Sequence, residues 1–130
     1  MAGETNLEAL IRGMKPQLNP GKYVFCTVTD LSDISRKDTL FEFKEAEGTT
    51  LVLTLEKAKE YRLAYDYVAA WITLEIHSAL EAVGLTAAFS NALAAENISC
   101  NVVAGYYHDH IFVDYLLKEK AMAVLKELAR

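Results

Sequence analysis

Within residues 69–76, in the second half of the chain, every second residue from Ala70 to Ile76 is apolar, and Thr73 and Glu75 alternate with them. A period of two predicts a β-strand, because successive side chains of a strand point to opposite faces of its sheet. One predicted face is apolar and suits packing against helices, whereas the other meets solvent or a partner. The apolar face holds Ile72, Leu74 and Ile76, and the other face holds Trp71, Thr73, Glu75 and His77.

The pattern after this strand predicts a helix, two further strands and a second helix. Apolar positions recur at helical spacing from Leu85 to Leu93 and again through residues 118–130. Between them, residues 99–104 and 111–116 have the β-branched and aromatic composition of strands. The order β-α-β-β-α is the ferredoxin-like plan without its last strand. We therefore expect an α+β fold of antiparallel sheets with helices on one face, and a strand from the first half in the vacant place.

The first half of the chain has a less regular pattern. Residues 6–12 predict a capped helix, and Pro16 and Pro20 predict its end and a turn. Residues 22–28 predict a buried strand, and Gly48 lies between two apolar runs that predict a hairpin.

A short helix is predicted for residues 55–61, and the predicted junction between the halves follows at residues 64–66. No linker rich in Pro, Gly or Ser occurs there, so we expect the two halves to pack together. The predicted division is an N-terminal half at 1–64 and a C-terminal half at 65–130.

Composition and charge exclude several classes of protein. Hydrophobic residues form 52% of the 130-residue chain, enough for a folded core, and the net charge of −5 argues against nucleic-acid binding. No apolar run approaches the roughly 20 residues that span a bilayer, and the first residues do not resemble a signal peptide. Cys26 and Cys100 lie in strand-like runs without a CxxC motif, which favours buried, reduced thiols. The sequence therefore predicts a cytoplasmic protein without membrane contact.

Catalytic and metal-binding chemistry finds little support in the sequence. His108 and His110 are two residues apart, so both side chains of an extended segment could face one metal ion. A stable site needs a third ligand, and only His77, Glu75 or Asp109 could supply it. No nucleophile elbow or phosphate loop occurs. We predict no enzyme activity, no metal and no cofactor.

The segment VGLTAAFSNALAAENISCNVVAGYYHDHIFVDYL extends across the β-α-β-β-α order of the second half. Its features are Gly84 at the turn from strand to helix, the helix ending ALAAENIS, and Asp109 before the apolar strand that starts at Ile111. With these features the second half resembles the ACT domain family, and most of all the small bacterial proteins with two ACT-like modules and their relatives among cytosolic amino-acid sensors. The resemblance implies tandem ACT-like modules that bind amino acids or other small molecules at module or subunit interfaces.

The resemblance implies that the turn at Gly84 and the hairpin before Asp109 bind the ligand. A helix N-terminus suits a carboxylate, and an acidic residue suits an ammonium group. Each feature has a plain alternative: Gly84 could merely permit a tight turn, and Asp109 could bond its own backbone. Relatives often place an acid directly beside the helix glycine, whereas the nearest one here is Glu81. The candidate ligand-binding residues are Glu81, Ala82, Val83, Gly84, Leu85, Thr86, Tyr107, His108 and Asp109.

The predicted function is a non-catalytic sensor or regulator that binds a small molecule, with an amino acid as the preferred candidate. The protein is also predicted to form a homodimer or higher homo-oligomer. Trp71 fits either a dimer or ligand surface or an ordinary solvated sheet face. The alternative function is an ACT-like module for oligomerisation or protein interaction that binds no ligand.

Overall fold

The structure, a computed structural model, describes residues 6–76 and 83–130. Two short 3₁₀ turns, Arg36–Asp38 and Tyr115–Leu117, lie among its helices and strands. The helices are α1 (Leu7–Gly13), α2 (Leu55–Glu60), α3 (Leu85–Ala95) and α4 (Lys118–Leu128). The strands are β1 (Lys15–Leu18), β2 (Tyr23–Val28), β3 (Thr39–Lys44), β4 (Thr49–Thr54), β5 (Val68–Glu75), β6 (Asn101–Ala104) and β7 (Asp109–Asp114). None of the described helices has the length and apolar character needed to cross a membrane.

The fold divides into two compact units, one of which is interrupted in sequence by the other. The split unit comprises the described parts of Met1–Pro20 and Ala70–Arg130, and the inserted unit is Gly21–Ala69. The split unit thus takes α1 and β1 from the N-terminal end of the chain. The predicted division into halves 1–64 and 65–130 stays a prediction.

The split unit has the ferredoxin-like strand arrangement. β5 lies between β1 and β7, and β6 follows β7. β1 pairs antiparallel with β5, with Lys15 opposite Glu75, and β6 pairs antiparallel with β7. β1 therefore occupies the place of the missing last strand of the β-α-β-β-α order. The expected α+β fold class is confirmed, and the expected strand from the first half is β1.

The formation of β1 contradicts one part of the sequence interpretation. The helix α1 ends before Pro16 and the chain bends at Pro20, as predicted, but Pro16 itself lies within β1, opposite Leu74. Proline lacks an N–H group, so it is tolerated in a strand that needs that donor on one side only. Among the described strands β1 pairs with β5 alone, which makes it such a strand.

The core of the split unit lies on one face of β5. Ile72 and Leu74 are fully buried there, and Ile76 is 4% exposed. They form one apolar cluster with Leu85, Phe89 and Leu93, which recur at helical spacing on α3. The alternation of residues 69–76 therefore predicted the buried face correctly.

The inserted unit is built around the antiparallel strands β3, β4 and β2, and β2 also pairs with the first two residues of β5. Its buried cluster contains Val24, Leu51 and Leu53. The predicted hairpin turns at Gly48, where a Cβ atom would lie 2.9 Å from the carbonyl oxygen of Val28. Glycine is required at this position because the backbone of β2 leaves no room for a side chain.

Candidate functional site

The N-terminus of α3 is the first of the two predicted ligand-binding regions. Gly84 is the N-cap and has the left-handed conformation, with a φ of 91°, that favours glycine. A Cβ atom on Gly84 would lie 3.2 Å from Cδ2 of Leu7, so glycine also lets α1 pack closely against this turn. Gly84, the N-cap residue, has no side chain with which to cap the helix. Backbone conformation and close packing against α1 therefore shape the turn at this residue.

The start of a helix offers backbone donors to a ligand. The first N–H groups of a helix have no intrahelical acceptor, and the helix dipole adds a partial positive charge there. The side chain of Val83 is 84% exposed beside this turn, and Thr86 is exposed on the first turn of α3. Leu85 is 4% exposed and packs in the core, so only its backbone could contact a ligand. The first turn of α3 thus presents backbone N–H groups of the kind that suit an anion, beside the exposed apolar side chain of Val83.

The second predicted region is the hairpin between β6 and β7. The rings of Tyr106 and Tyr107 meet edge to face with centroids 5.0 Å apart, and both side chains are exposed. The turn is closed by a 2.9 Å hydrogen bond from the N–H of Gly105 to the carbonyl of His108. The Nδ1 atom of His108 is buried and has no hydrogen-bond partner among the described residues. Burial raises the pKa of the Asp109 carboxyl, although the neighbouring His110 opposes this shift.

His110 joins a polar network on the face of β5 opposite the core. Its Nδ1 atom lies 3.1 Å from Nε1 of Trp71 and 3.1 Å from Oγ1 of Thr73. Because an indole N–H only donates, Nδ1 accepts and the proton of the neutral ring is on Nε2. Asn19 donates to Oγ1 of Thr73 at 2.9 Å, which leaves the hydroxyl proton for His110. The sequence pattern placed Trp71 and Thr73 on one face of β5 but gave no link from either of them to His110, so this network was not predicted, although the residue types signal it.

Gly105 lies close to the imidazole ring of His110. A Cβ atom on Gly105 would lie 3.3 Å from both Cδ2 and Nε2 of His110. Any larger residue would therefore press on the ring. Burial lowers the pKa of His110, the nearby His108 lowers it further, and Asp109 opposes both effects.

The lowered pKa of His110 predicts a stability that falls in acid. The folded protein keeps the ring neutral, whereas the unfolded chain binds a proton near the ordinary value of 6.5. The contribution is therefore present above pH 6.5 and is lost as the pH falls through the lower pKa of the folded state. One such proton changes the free energy of unfolding by at most about 1.4 kcal/mol per pH unit.

We expect His110→Gln to reduce the pH dependence of unfolding by urea between pH 7 and pH 5. The same change weakens the bonds to Trp71 and Thr73 and should cost about 1 kcal/mol at pH 7. The control is Thr73→Val, which removes one hydrogen bond to the ring but keeps the titrating group. It should lower stability at pH 7 and retain the wild-type slope. Equal slopes in wild type and His110→Gln would contradict the assignment.

The structure gives the two predicted regions different neighbours. Gly84 contacts Leu7 of α1, whereas His110, next to Asp109, contacts Trp71 and Thr73 of β5. The contacts of the described residues therefore do not bring Gly84 and Asp109 together. Glu81 and Ala82 lie outside the described residues, as does His77.

Metal ligands do not converge in the described part of the chain. No group of three or more His, Cys, Asp or Glu side chains there could hold a metal ion. Nδ1 of His110, one of the two histidines that suggested a metal, accepts bonds from Trp71 and Thr73 and so is not available as a ligand. His110 is thus committed to a hydrogen-bond network.

Solved structures with the same fold include one similar in sequence. A Vibrio cholerae protein of unknown function, described as a possible transport protein, is 50% identical, with a TM-score of 0.87 over 95% of this chain and 96% of that one. An Agrobacterium tumefaciens protein is 15% identical, with a TM-score of 0.69 over 89% of each chain. The regulatory subunit of aspartate kinase from Thermus flavus is 9% identical, with a TM-score of 0.60 over 91% of this chain and 97% of that one. The last two likenesses show the fold alone.

Two family models, both described as ACT domain, match the chain in succession. One matches residues 2–70 and the other matches residues 67–127. Comparison with curated proteins gives no match. Because the first match alone covers more than half of the chain, this protein belongs to the ACT domain family.

Proposed function

We propose that this protein is a non-catalytic sensor or regulator that binds a small molecule at the N-terminus of α3. The preferred candidate for that small molecule is an amino acid. Membership of the ACT domain family and the regulatory role of the Thermus flavus subunit support a regulatory, ligand-binding function. The observation that carries the proposal is the start of α3 at Gly84, where the N-cap residue is a left-handed glycine that has no side chain of its own to bond the first turn.

The chemistry of an amino acid fits the groups at this turn. Its carboxylate would accept hydrogen bonds from the backbone N–H groups of Leu85 and Thr86 at the positive end of the helix dipole. An apolar side chain would cover Val83, which is 84% exposed. The sequence contains two candidate acceptors for the ammonium group, Glu81 and Asp109. We favour Glu81, because it precedes Gly84 by only three residues whereas Asp109 lies beside the His110 network.

The proposed function also includes a cellular location and an oligomeric state. We place the protein in the cytoplasm as a homodimer or higher homo-oligomer. Ligand binding that favours one arrangement of the subunits would then be the regulatory output, since a ligand shifts an equilibrium by its difference in affinity for two states. Tyr107, His108 and Asp109 remain candidates for a second contact region, as the sequence predicted.

The proposal is tested by thermal unfolding in the presence of each of the twenty amino acids at 10 mM. A ligand present at a hundred times its Kd should stabilise the folded state by about 2.7 kcal/mol and raise Tm by several degrees. Gly84→Ala should abolish that shift, because an L-residue is strained at a φ of 91° and its methyl group would press on Leu7.

The matched control is Gly13→Ala, at a glycine where a Cβ atom meets nothing within 4 Å. This variant should bind as the wild type does. Circular dichroism checks that both variants fold. If none of the twenty amino acids changes Tm, the assignment of an amino-acid ligand is lost and the interaction module without a ligand becomes the better account. A shift that persists in Gly84→Ala would move the site away from α3.

A further inference from the structure

A groove runs along the surface of the split unit between α3 and α4. Its volume is about 480 Å³. Small and apolar side chains line it together with charged ones. The apolar residues are Ala92, Ala123, Val124 and Leu128, and the charged residues are Glu96, Lys120 and Glu127.

The groove residues of α4 form a single stripe. Positions 120, 123, 124 and 127 are separated by three, four and seven residues, so they share one face of the helix. Lys120 is at one end of the stripe and Glu127 is at the other, with Ala123 and Val124 between them. A stripe with opposite charges at its two ends is complementary to itself when a second copy is turned through 180°.

We propose that this groove is the contact surface for a second copy of the chain, with the two α4 helices packed antiparallel. A two-fold axis at Ala123 and Val124 would place Lys120 of each copy opposite Glu127 of the other. The small Ala123 lets the two helices approach closely, and a two-fold contact uses the same patch on both subunits. The inference rests on the homo-oligomer in the proposed function and is independent of the ligand.

The position of Lys120 favours this pairing. Its Nζ atom lies 3.2 Å from the carbonyl oxygen of Glu96 and 3.9 Å from the carboxylate of the same residue. These contacts fix the ammonium group beside Glu96, another residue that lines the groove. The Lys120 side chain remains 51% exposed. Glu127 is exposed as well, and its carboxylate receives a 2.8 Å bond from Arg130. Both charges are therefore accessible to a second copy, and each subunit would contribute one to each of two ion pairs.

Charge reversal at the two ends of the stripe tests the proposal by sedimentation equilibrium. All variants carry Glu96→Gln, so that a new acid at position 120 does not meet Glu96 in its own chain. Lys120→Glu alone and Glu127→Lys alone should each raise the dimer dissociation constant at least about tenfold, because each places like charges opposite one another twice. The double variant Lys120→Glu/Glu127→Lys should return the constant to within about threefold of the background, since the pairs are restored with reversed sign.

The matched control is Lys126→Glu, an exposed charge on α4 that does not line the groove. It should leave the dissociation constant unchanged. A dimer that is indifferent to Lys120→Glu would place the interface elsewhere and overturn the inference without touching the proposed oligomer. A single variant that weakens the dimer without rescue by the double variant would overturn the antiparallel pairing. A monomeric wild type at 200 µM would overturn both, while the amino-acid experiment would still decide the ligand.

Discussion

Replacing Phe89 with alanine is expected to lower the free energy of unfolding by about 3–5 kcal/mol. Phe89 is 0% exposed on α3 and is among the largest fully buried side chains of the described residues. It packs in the cluster that α3 forms with β5 and α4. Removing the ring both forfeits its burial and leaves a cavity, since the surrounding helices and strands relax only partly.

Urea unfolding followed by tryptophan fluorescence measures this loss. The chain contains a single tryptophan, Trp71, which belongs to the same unit as Phe89, so its signal reports on the unfolding of that unit. The midpoint should fall by on the order of 2 M urea. The control is Asn91→Ala on the exposed side of α3, which should change stability by less than about 0.5 kcal/mol. A midpoint that moves as little for Phe89→Ala as for Asn91→Ala would contradict the described core.

Alkylation of Cys100 at pH 8 is expected to be about a hundredfold slower than that of an ordinary thiol. Burial raises the pKa of Cys100 from 9.0 to about 11, and a hydrogen bond with Ser90 opposes only part of that rise. Because the thiolate is the reactive form, two pKa units correspond to about a hundredfold smaller reactive fraction. Burial also raises the pKa of Cys26, which is 5% exposed. Both thiols should thus stay unmodified in the folded protein.

Peptide mass spectrometry after timed treatment with iodoacetamide measures the two rates. Ser99→Cys provides a matched reference, because residue 99 is exposed and adjacent in sequence to Cys100. Its thiol should react at the ordinary rate while Cys100 in the same chain does not. In 6 M urea all three cysteines should react alike. Equal labelling of positions 99 and 100 in the folded protein would show that Cys100 is not shielded.

The elements with strong periodicity were predictable from the sequence. The alternation at Ile72, Leu74 and Ile76 identified the buried face of β5, and the spacing of Leu85, Phe89 and Leu93 identified the face of α3 that meets it. In both cases burial on one side of a regular element imposes the pattern. Asn97, just after α3, has a φ of 60°, which is the left-handed conformation that asparagine tolerates at a helix end.

The strand β1 could not be read from local signals. Residues 15–18 contain a proline and only one large apolar side chain, so nothing in their composition favours a strand. Residues 15–18 form a strand because they pair with one edge of β5. The residues of β5 are far from them in sequence, so no local pattern indicates the pairing. The order β-α-β-β-α indicated that a strand was missing but did not say which segment would fill it.

The candidate site was predictable only in part. Gly84 was predicted to lie at the turn from strand to helix, and the structure gives it the positive φ that favours glycine at such a turn. The grouping of Gly84 with Asp109 came from the family resemblance, and the described contacts do not reproduce it. The network of Asn19, Trp71, Thr73 and His110 joins three separate segments, so only the pairing of β1 and β7 with β5 reveals it.

During synthesis β1 emerges from the ribosome well before the residues that pair with it. Lys15 has no partner until Glu75 has been made, and at typical translation rates this delay is on the order of several seconds. All strands of the inserted unit are made within that interval, so it has time to fold first. The nascent N-terminal segment meanwhile exposes an open edge to other chains, and the charge of Lys15 and the missing donor of Pro16 are features that discourage such aggregation.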